Sequence, residues 1–201
     1  MRILKVNQKN LKEVIETALQ LIKEGNVIIC PTDTVYIPVA DATNKKAVKK
    51  VFLMKKRSLK KPIPIFVKDI KMAKTIAEID KKQEQFLKSV WPGKVTAVLK
   101  RLQPSHRPKG IKLYGVAENT IALRIPNFKL VNFLLKELDR PLVGTSANIS
   151  GKPASGNLKE VLDQFKDQKH QPDLVINAGI LPGKPSKVMD LTVSPPKILR
   201  L

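Results

Sequence analysis

The chain has 201 residues and a formal net charge of +21, from 38 lysines and arginines against 17 aspartates and glutamates. Its 42% hydrophobic content excludes a disordered or collagen-like chain, and its single cysteine excludes a disulfide framework and a multi-cysteine metal site. No apolar run approaches the roughly 18 residues of a membrane span and Met1–Lys5 lacks a signal-peptide core, so we expect a folded cytoplasmic protein with no membrane partner.

Apolar runs and helical periodicity predict strands that alternate with helices along the chain. In chain order these are a strand at 2–6, a helix at 11–22, strands at 27–30 and 35–39, a helix that begins after Asn44, a strand at 63–67, helices at 69–77 and 80–90, strands at 95–99 and 120–125, a helix at 128–138, a strand at 142–145, a helix at 157–167, and strands at 174–177, 188–193 and 197–201. This alternation predicts one α/β domain over residues 1–201, with a twisted, mixed or mostly parallel sheet flanked by helices.

Polar residues and prolines predict some of the boundaries between these elements. Asn10 and Asn44 stand where helices begin and are predicted to act as N-caps. Pro62 and Pro64 predict that the strand at 63–67 lies at a sheet edge or starts with a bulge, because proline cannot donate to a β-ladder.

The positive charge is concentrated in one segment. Residues 45–74 contain eleven lysines and Arg57 against Asp69 alone, which amounts to about half of the net charge. Such an excess favours polyanion contact through counterion release, so nucleic acid or nucleotide is the first partner class to consider. A solvated, lysine-rich surface explains most of these lysines equally well. An apolar stripe in the same segment indicates that it is folded.

The familiar nucleotide and hydrolase motifs are incomplete in this chain. Residues 151–158 have the two-glycine spacing of a P-loop without its Lys-Ser/Thr pair, and no G-x-G-x-x-G is present. Residues 144–148 lack the second glycine of a nucleophile elbow. His106 and His170 lie in polar loops, so we do not expect a Ser-His-Asp triad or a hydrolase centred on Ser146.

Four short segments place hydroxyls or fixed cations at the ends of predicted elements, where ligand sites in α/β sheets form. They are PTDTVY at 31–36, KKR at 55–57, TIALR at 120–124 and TSAN at 145–148. Alternation along a strand puts Thr120, Ala122 and Arg124 on one face. An arginine in an apolar strand needs an anionic partner, and we expect a ligand carboxylate or phosphate there in preference to an internal acid. Asp33 is interpreted as a turn residue.

Together these segments resemble the threonylcarbamoyl-AMP synthase family, which has the YrdC-like fold. That family carries P-T-D/E-T-V-Y-G, K-x-R-P, W-P-G-P-x-T, V-A-x-R-x-P, S-A-N-x-S-G, S-T-x-x-D and a closing L-R, in this order. The corresponding runs here are PTDTVY at 31–36, KKR at 55–57, WPGKVT at 91–96, IALRIP at 121–126, SANISG at 146–151, PSKVMDL at 185–191 and ILR at 198–200. The ordered match is far more specific than any one piece and implies a single YrdC-like domain.

The resemblance implies an enzyme, a nucleotidyltransferase that condenses L-threonine, bicarbonate and ATP to threonylcarbamoyl-AMP and pyrophosphate. The product serves N6-threonylcarbamoyladenosine modification of tRNA, which implies a downstream tRNA threonylcarbamoyl-transferase complex as a partner. Mg²⁺ would accompany ATP without a dedicated metal site, and no tightly bound organic cofactor is expected. The scarcity of acid–base groups suits this chemistry, because the threonine amine and the resulting carbamate are themselves the nucleophiles and catalysis is mostly positioning and charge neutralisation.

The resemblance also assigns roles to individual residues. Those implied to act in catalysis and to contact the nucleotide or the carbamate are Lys55, Arg57, Ser146 and Asn148. Those implied to contact only the nucleotide are Thr120, Ser186 and Arg200. The carboxylate of L-threonine would be held by Arg124, and Thr32 would help to seat the amino acid.

The chain departs from the family pattern after PTDTVY. Ile37 and Val39 replace two glycines, and their side chains would crowd a close approach of the backbone to a ligand. A non-catalytic protein that binds double-stranded RNA, tRNA or rRNA on the basic concave face of the same fold is therefore the alternative. Binding through phosphate contacts should fall steeply with salt, whereas threonine-dependent pyrophosphate release should change far less.

Overall fold

The computed structural model describes residues 1–106, 108 and 111–201. These residues form the strands and helices β1 (Arg2–Lys5), α1 (Leu11–Lys23), β2 (Ile28–Cys30), β3 (Ile37–Val39), α2 (Lys45–Met54), β4 (Ile65–Phe66), α3 (Ile70–Lys74), α4 (Lys81–Val90), β5 (Val95–Lys100), β6 (Thr120–Arg124), α5 (Lys129–Leu138), β7 (Leu142–Val143), α6 (Leu158–Phe165), β8 (Leu174–Asn177), β9 (Lys187–Asp190) and β10 (Lys197–Arg200). Within this described part of the chain, every helix is too short or too polar to cross a bilayer.

The strands form two mixed sheets. One has the order β1-β8-β2-β3, in which β1, β8 and β2 are parallel and β3 is antiparallel to β2. The other has the order β10-β9-β5-β6-β4-β7, in which β9 and β5 are parallel, β6 and β4 are parallel, and the other neighbours are antiparallel. The predicted mixed α/β fold is confirmed, and its strands are divided between two sheets.

The larger apolar core joins these two sheets. It combines Ile29 of β2 with Leu99 of β5 and Leu123 of β6, all of them fully buried. Helix α2 adds Val51 and Phe52 to the same core. Burial of an apolar side chain of this size contributes roughly 1.5–3 kcal/mol. The core therefore holds α2, and the residue that follows its last turn, in a fixed position against the sheets.

A second apolar core involves α1 and α5. Val14 and Ala18 of α1 belong to the same buried cluster as Leu134 of α5 and Ile28 of β2. Cys30 lies in this cluster, and burial raises the pKa of its thiol because the thiolate would lose its hydration. Cys30 is therefore a packed side chain and not a reactive thiol.

The two predicted asparagine caps have different outcomes. The Asn44 side chain accepts hydrogen bonds from the backbone N–H groups of Lys46 and Ala47, which confirms it as the N-cap of α2. The Asn10 side chain makes no cap hydrogen bond, and its Oδ1 accepts from the backbone N–H of Asn7 at 2.8 Å. Asn10 is therefore the N-cap residue of α1 by position, but the predicted capping by its side chain is wrong because a local turn before α1 uses that side chain.

Strand β4 lies inside its sheet, between β6 and β7. The prediction of an edge or bulged strand from Pro62 and Pro64 is therefore wrong. Both prolines precede the two-residue ladder of Ile65 and Phe66, so neither of them removes a ladder N–H. The carbonyl of Pro64 accepts a hydrogen bond from the Gly144 N–H at 2.9 Å, which continues the contact beyond β7.

The cap at Asn44 leads to a stability prediction. Asn44→Ala removes the oxygen that accepts from Lys46 and Ala47, so we expect the free energy of unfolding to fall by about 1 kcal/mol. Urea unfolding at equilibrium measures this loss. Asn44→Asp keeps a side-chain oxygen at the N-terminus of α2 and should retain the stability. An equal loss in both variants would show that the capping oxygen is not the source of the effect.

Candidate active site

A cavity of about 370 Å³ has a lining that comes from distant parts of the chain. These parts include the turn after β2, the end of α2 with the loop that follows, β6, the loop after β7, and β10. Eight of the nine predicted site residues border it, namely Lys55, Arg57, Thr120, Arg124, Ser146, Asn148, Ser186 and Arg200. Thr32 is the exception. The structure therefore brings together segments that the sequence separates by more than a hundred residues.

Lys55 follows the last turn of α2 and is almost completely buried. Its ammonium Nζ donates to the carbonyl oxygens of Ser146 and Asn148, the latter at 2.8 Å, and to Asn148 Oδ1 at 3.2 Å. An ammonium has three N–H donors and no acceptor, so these three oxygens match its capacity. Lys55 therefore attaches the loop after β7 to the end of α2.

Asn148 is the centre of this loop. Its Oδ1 accepts from the Ser146 hydroxyl at 2.6 Å as well as from Lys55, and its Nδ2 donates to the carbonyls of Ile149 and Lys152 at 3.0 and 2.6 Å. The amide group is thus fully used by the protein itself. In this arrangement Asn148 shapes the cavity wall, whereas the Ser146 hydroxyl keeps acceptor capacity at the cavity.

Burial has a clear effect on the charge of Lys55. Loss of hydration, and secondarily the positive charge of Arg57, lower the pKa of the Lys55 ammonium from 10.5 to about 7. The group therefore changes its protonation state near neutral pH, where an exposed lysine would remain fully charged. As the pH rises through 7, one of the three N–H donors to the 146–148 loop is lost.

Arg57 is held by the loop that follows α2. Its Nε donates to the carbonyl of Lys61 at 2.9 Å and its Nη2 to that of Pro62 at 2.8 Å. Partial burial lowers the pKa of the Arg57 guanidinium, which remains far above neutral. The backbone carbonyls orient the guanidinium without neutralising it, so Arg57 presents a fixed positive charge at the cavity.

Arg124 is buried in β6 and has an internal acidic partner. Its Nη2 donates to Asp33 Oδ1 at 2.5 Å, its Nε to the Gly93 carbonyl at 2.7 Å and its Nη1 to Thr34 Oγ1 at 3.2 Å. Burial lowers the pKa of Arg124, and the charge of Asp33 opposes that effect. The expectation of a ligand in preference to an internal acid is therefore wrong. Asp33 lies in the bend after β2, in agreement with its interpretation as a turn residue, and its carboxylate is that internal acid.

The spacing of residues in the sequence does not predict the ion pair of Asp33 and Arg124, because 91 residues separate them. The one sequence signal was an acidic residue in the same motif as Thr32 and Thr34, next to a strand that was predicted to be buried. Alternation along β6 did predict that Thr120, Ala122 and Arg124 share a face, and all three border the cavity.

Thr32 lies beneath the turn and does not border the cavity. Its hydroxyl donates to the Val35 carbonyl at 2.7 Å and accepts from the backbone N–H groups of Thr34 and Val35. These bonds leave Thr32 fully buried, so its predicted direct contact with the amino acid does not fit this geometry. Thr34, which sequence reasoning did not select, borders the cavity and contacts Arg124.

Ser186 and Arg200 form the wall on the side of β10. Arg200 donates from Nη2 to the Ser186 carbonyl at 2.6 Å and from Nε to the same oxygen at 3.1 Å. The Ser186 hydroxyl is 2.8 Å from Thr96 Oγ1. Partial burial lowers the pKa of the Arg200 guanidinium, which stays charged. Both residues are thus positioned by contacts within their own sheet.

The two residues that replace family glycines have different surroundings. Ile37 pairs with Cys30 in the ladder of β2 and β3 and borders the cavity. Val39 pairs with Ile28 and belongs to the second apolar core without bordering the cavity. Of the two substitutions, only that at Ile37 changes the shape of the cavity directly.

The lining is strongly one-sided in charge. Lysine and arginine side chains reach it from three segments, whereas no aspartate or glutamate is among the lining residues that the structure describes. Within residues 1–106, 108 and 111–201 there is also no group of three or more His, Cys, Asp or Glu side chains that could hold a metal ion. Cations and hydroxyls without carboxylates are suited to anionic ligands.

Fold and cavity together define a mixed α/β protein with a cavity lined by cations and hydroxyls. The chain belongs to the Sua5/YciO/YrdC family: the sequence model of that family, described as "Telomere recombination", matches residues 20–201. This membership confirms the family resemblance of the motifs from PTDTVY to ILR.

Individual relatives agree with this membership. The threonylcarbamoyl-AMP synthase of Pyrococcus abyssi is 32% identical over 98% of this chain and 56% of its own length. That of Yersinia enterocolitica is 28% identical over 89% of this chain and 92% of its own length. A crystal structure of P. abyssi Sua5 complexed with L-threonine superposes with a TM-score of 0.81 at 30% identity, over 99% of this chain and 56% of that one. The chain thus spans about half the length of the P. abyssi relative.

The lowered pKa of Lys55 predicts a pH-dependent stability. Between pH 7 and 10.5 the unfolded chain binds a proton at Lys55 that the folded chain has released, so the free energy of unfolding should rise with pH in this window. We expect the difference between the wild type and Lys55→Met to change by about 1.4 kcal/mol per pH unit there and to be constant below pH 6.

Urea unfolding of both proteins across pH 5–10 measures this difference. Lys49→Met is the matched control, since Lys49 is an exposed lysine on the same helix. If the unfolding free energies of the wild type and Lys55→Met differ by the same amount at every pH between 7 and 10.5, the Lys55 ammonium is not desolvated.

The pair of Asp33 and Arg124 predicts a second stability change. Asp33→Asn keeps an oxygen but removes the counter-ion of a side chain that is only 3% exposed, so we expect a loss of roughly 1–3 kcal/mol in unfolding free energy. Asp139→Asn is the control, because Asp139 is 72% exposed in its pair with Lys68 and should matter little. Equal effects of the two variants on urea unfolding would contradict the role of the buried pair.

Proposed function

We propose that this chain is a threonylcarbamoyl-AMP synthase, which condenses L-threonine, bicarbonate and ATP to threonylcarbamoyl-AMP and pyrophosphate. The observation that carries the proposal is the cavity in which Lys55, Arg57, Arg124 and Arg200 converge without any carboxylate among the described lining residues. The substrates bring a carboxylate, a bicarbonate and a triphosphate into one place. Several cations in one cavity suit substrates that carry so much negative charge.

The comparisons support the same chemistry. Relatives from archaea and bacteria carry the name threonylcarbamoyl-AMP synthase, and one superposable structure is a complex with L-threonine. The non-catalytic RNA-binding alternative is not favoured by these names. The polyanion contact that the lysines at 45–74 favour stays a prediction, as does delivery of the product to a downstream tRNA threonylcarbamoyl-transferase complex. We place the reaction in the cytoplasm.

The proposed reaction has two steps. The amine of L-threonine attacks the carbon of bicarbonate, so that a C–N bond forms, a C–O bond of bicarbonate breaks and water leaves; if bicarbonate has already lost water to give CO₂, the amine adds to CO₂ and loses a proton. A carbamate oxygen then attacks the α-phosphorus of ATP in line, so that the new P–O bond forms as the bond to the β-phosphate oxygen breaks. Pyrophosphate leaves with that electron pair. Neither step requires a covalent enzyme intermediate, so positioning and charge neutralisation are the main tasks of the protein.

The contacts of Arg124 leave it able to bind the threonine carboxylate. A guanidinium has more N–H donors than the three bonds to Asp33, Gly93 and Thr34 use. Those bonds lock the guanidinium plane, so the remaining donors are presented to the cavity in one orientation. Asp33 is then the residue that positions Arg124, and the substrate carboxylate is its second anionic partner.

Lys55 and Asn148 act mainly on the shape of the site in this proposal. Their mutual hydrogen bonds fix the 146–148 loop, and the positive charge of Lys55 acts on the phosphates through space. Arg57 and Arg200 are more exposed and are held by backbone carbonyls, so they are available for direct contact with the nucleotide. Thr120 and Ser186 supply hydroxyl-bearing positions along the same wall.

Mg²⁺ fits the cavity as a companion of ATP. The lining offers hydroxyls such as those of Thr145 and Ser146, and no carboxylate among its described residues. Mg²⁺ is commonly held by phosphate oxygens, water and one or two protein oxygens, so the residues present suit an ion that arrives already bound to the nucleotide. The ion would neutralise charge on the phosphates, and the proposal needs no tightly bound organic cofactor.

Pyrophosphate release tests the proposal. We expect release to require L-threonine, bicarbonate and MgATP together, and to fall to background when any one of them is omitted. The purified wild type is assayed with each substrate left out in turn, at low and at moderate salt. Release that does not depend on L-threonine, or tight RNA binding without any release, would contradict the proposed reaction.

A double variant links the reaction to the cavity. Arg124→Met combined with Asp33→Asn removes both charges, so no unpaired charge is left buried. We expect kcat/KM for L-threonine to fall by roughly 30- to 1,000-fold, equivalent to about 2–4 kcal/mol of transition-state stabilisation. Unchanged turnover in this variant would show that Arg124 does not act on the substrate.

A further inference from the structure

One polar atom at the cavity is left without a partner. Ser150 Oγ is buried and forms no hydrogen bond with any residue that the structure describes. Ser150 borders the cavity. A hydroxyl that is withdrawn from water without a hydrogen bond is unfavourable for the folded protein, so such an atom at a site points to a ligand that satisfies it.

Unlike Ser150, the two preceding polar residues of the same loop, Ser146 and Asn148, have side chains that are already hydrogen-bonded within the protein. The side-chain amide of Asn148 is saturated by four protein contacts, and the Ser146 hydroxyl already donates to Asn148. Ser150 is therefore the member of the SANIS run whose donor is uncommitted. A hydroxyl proton can satisfy an anionic oxygen, which Ser146 could do only by giving up its bond to Asn148.

The backbone of Ser150 shows which part of a ligand it would meet. Its N–H donates to the Lys55 carbonyl at 2.8 Å, which places Ser150 directly beside the turn that leads to Arg57. This is the most strongly cationic part of the lining. A phosphate group attracted by Lys55 and Arg57 would lie within the same corner of the cavity as the Ser150 hydroxyl.

We propose that Ser150 is a further substrate-contacting residue, whose hydroxyl donates a hydrogen bond to a phosphate oxygen of the bound nucleotide. This inference rests on the proposed function for the presence of a nucleotide. It assigns to Ser150 a direct contact, and it leaves to Asn148 the positioning of the loop. The hydroxyl is unfavourable in the free protein and favourable only when the phosphate is present.

Ser150→Ala tests this assignment because it removes the hydroxyl and little else. We expect the free variant to be at least as resistant to heat as the wild type, since an unsatisfied buried group is gone. The dissociation constants of MgATP and of inorganic pyrophosphate should rise about tenfold, whereas that of L-threonine should not change. Calorimetric titration measures the affinities, and thermal unfolding without ligand measures the stability.

Two further variants sharpen the comparison. Ser89→Ala removes an exposed hydroxyl of α4 that donates to the Phe86 carbonyl, and it should change none of the affinities. Ser150→Thr keeps a hydroxyl at the site and should recover much of the affinity for MgATP that Ser150→Ala loses.

The outcomes separate this inference from the proposed function. If the wild type binds MgATP and Ser150→Ala binds it equally well, the inference is overturned and the proposed function stands. If Ser150→Ala lowers the stability of the free protein and leaves affinity intact, the hydroxyl is structural and the inference is again overturned. If the wild type binds neither MgATP nor pyrophosphate, both fail. A tenfold loss confined to the two phosphate ligands supports the assignment.

Discussion

The buried ammonium of Lys55 is the interaction on which the site depends. It joins the end of α2 to a loop that lies 91 to 93 residues further along the chain, and it does so with oxygens that match its donors. Removing a charge from water is unfavourable unless hydrogen bonds compensate for the lost hydration. The position of the 146–148 loop is therefore tied to the protonation state of one side chain, and the cavity wall is tied to the loop.

The arginine side chains of the cavity are also held by hydrogen bonds within the protein, mainly to backbone carbonyl oxygens. Arg57 is held by carbonyls of the loop after α2, Arg200 by the Ser186 carbonyl, and Arg124 by the Gly93 carbonyl together with Asp33. Carbonyl dipoles orient a guanidinium without cancelling its charge. The site is thus preorganised, and the positive groups need little rearrangement when an anionic ligand enters.

The order of elements and the location of the site were accessible from the sequence, because apolar periodicity and motif composition are local properties. Alternation along β6 correctly placed Arg124 at the cavity. What could not be predicted depends on contacts between distant segments. Only the fold brings Asp33 to Arg124, and the motif composition does not show that Thr34 borders the cavity whereas Thr32 lies beneath it. The division into two sheets likewise depends on pairing between strands that are far apart, which periodicity does not encode.

The parallel pairing of β1 with β8 has a consequence for synthesis of the protein. Arg2 pairs with Leu174, so β1 has no strand neighbour until about 170 further residues have been synthesised. At about 5–20 residues per second, that delay is roughly 10–30 s. During this interval the apolar face of α1 is without the β8 residues Leu174 and Ile176 that belong to its cluster. The apolar face of α1 is therefore incompletely covered during this time, and chaperone binding to this part of the nascent chain would protect it from aggregation.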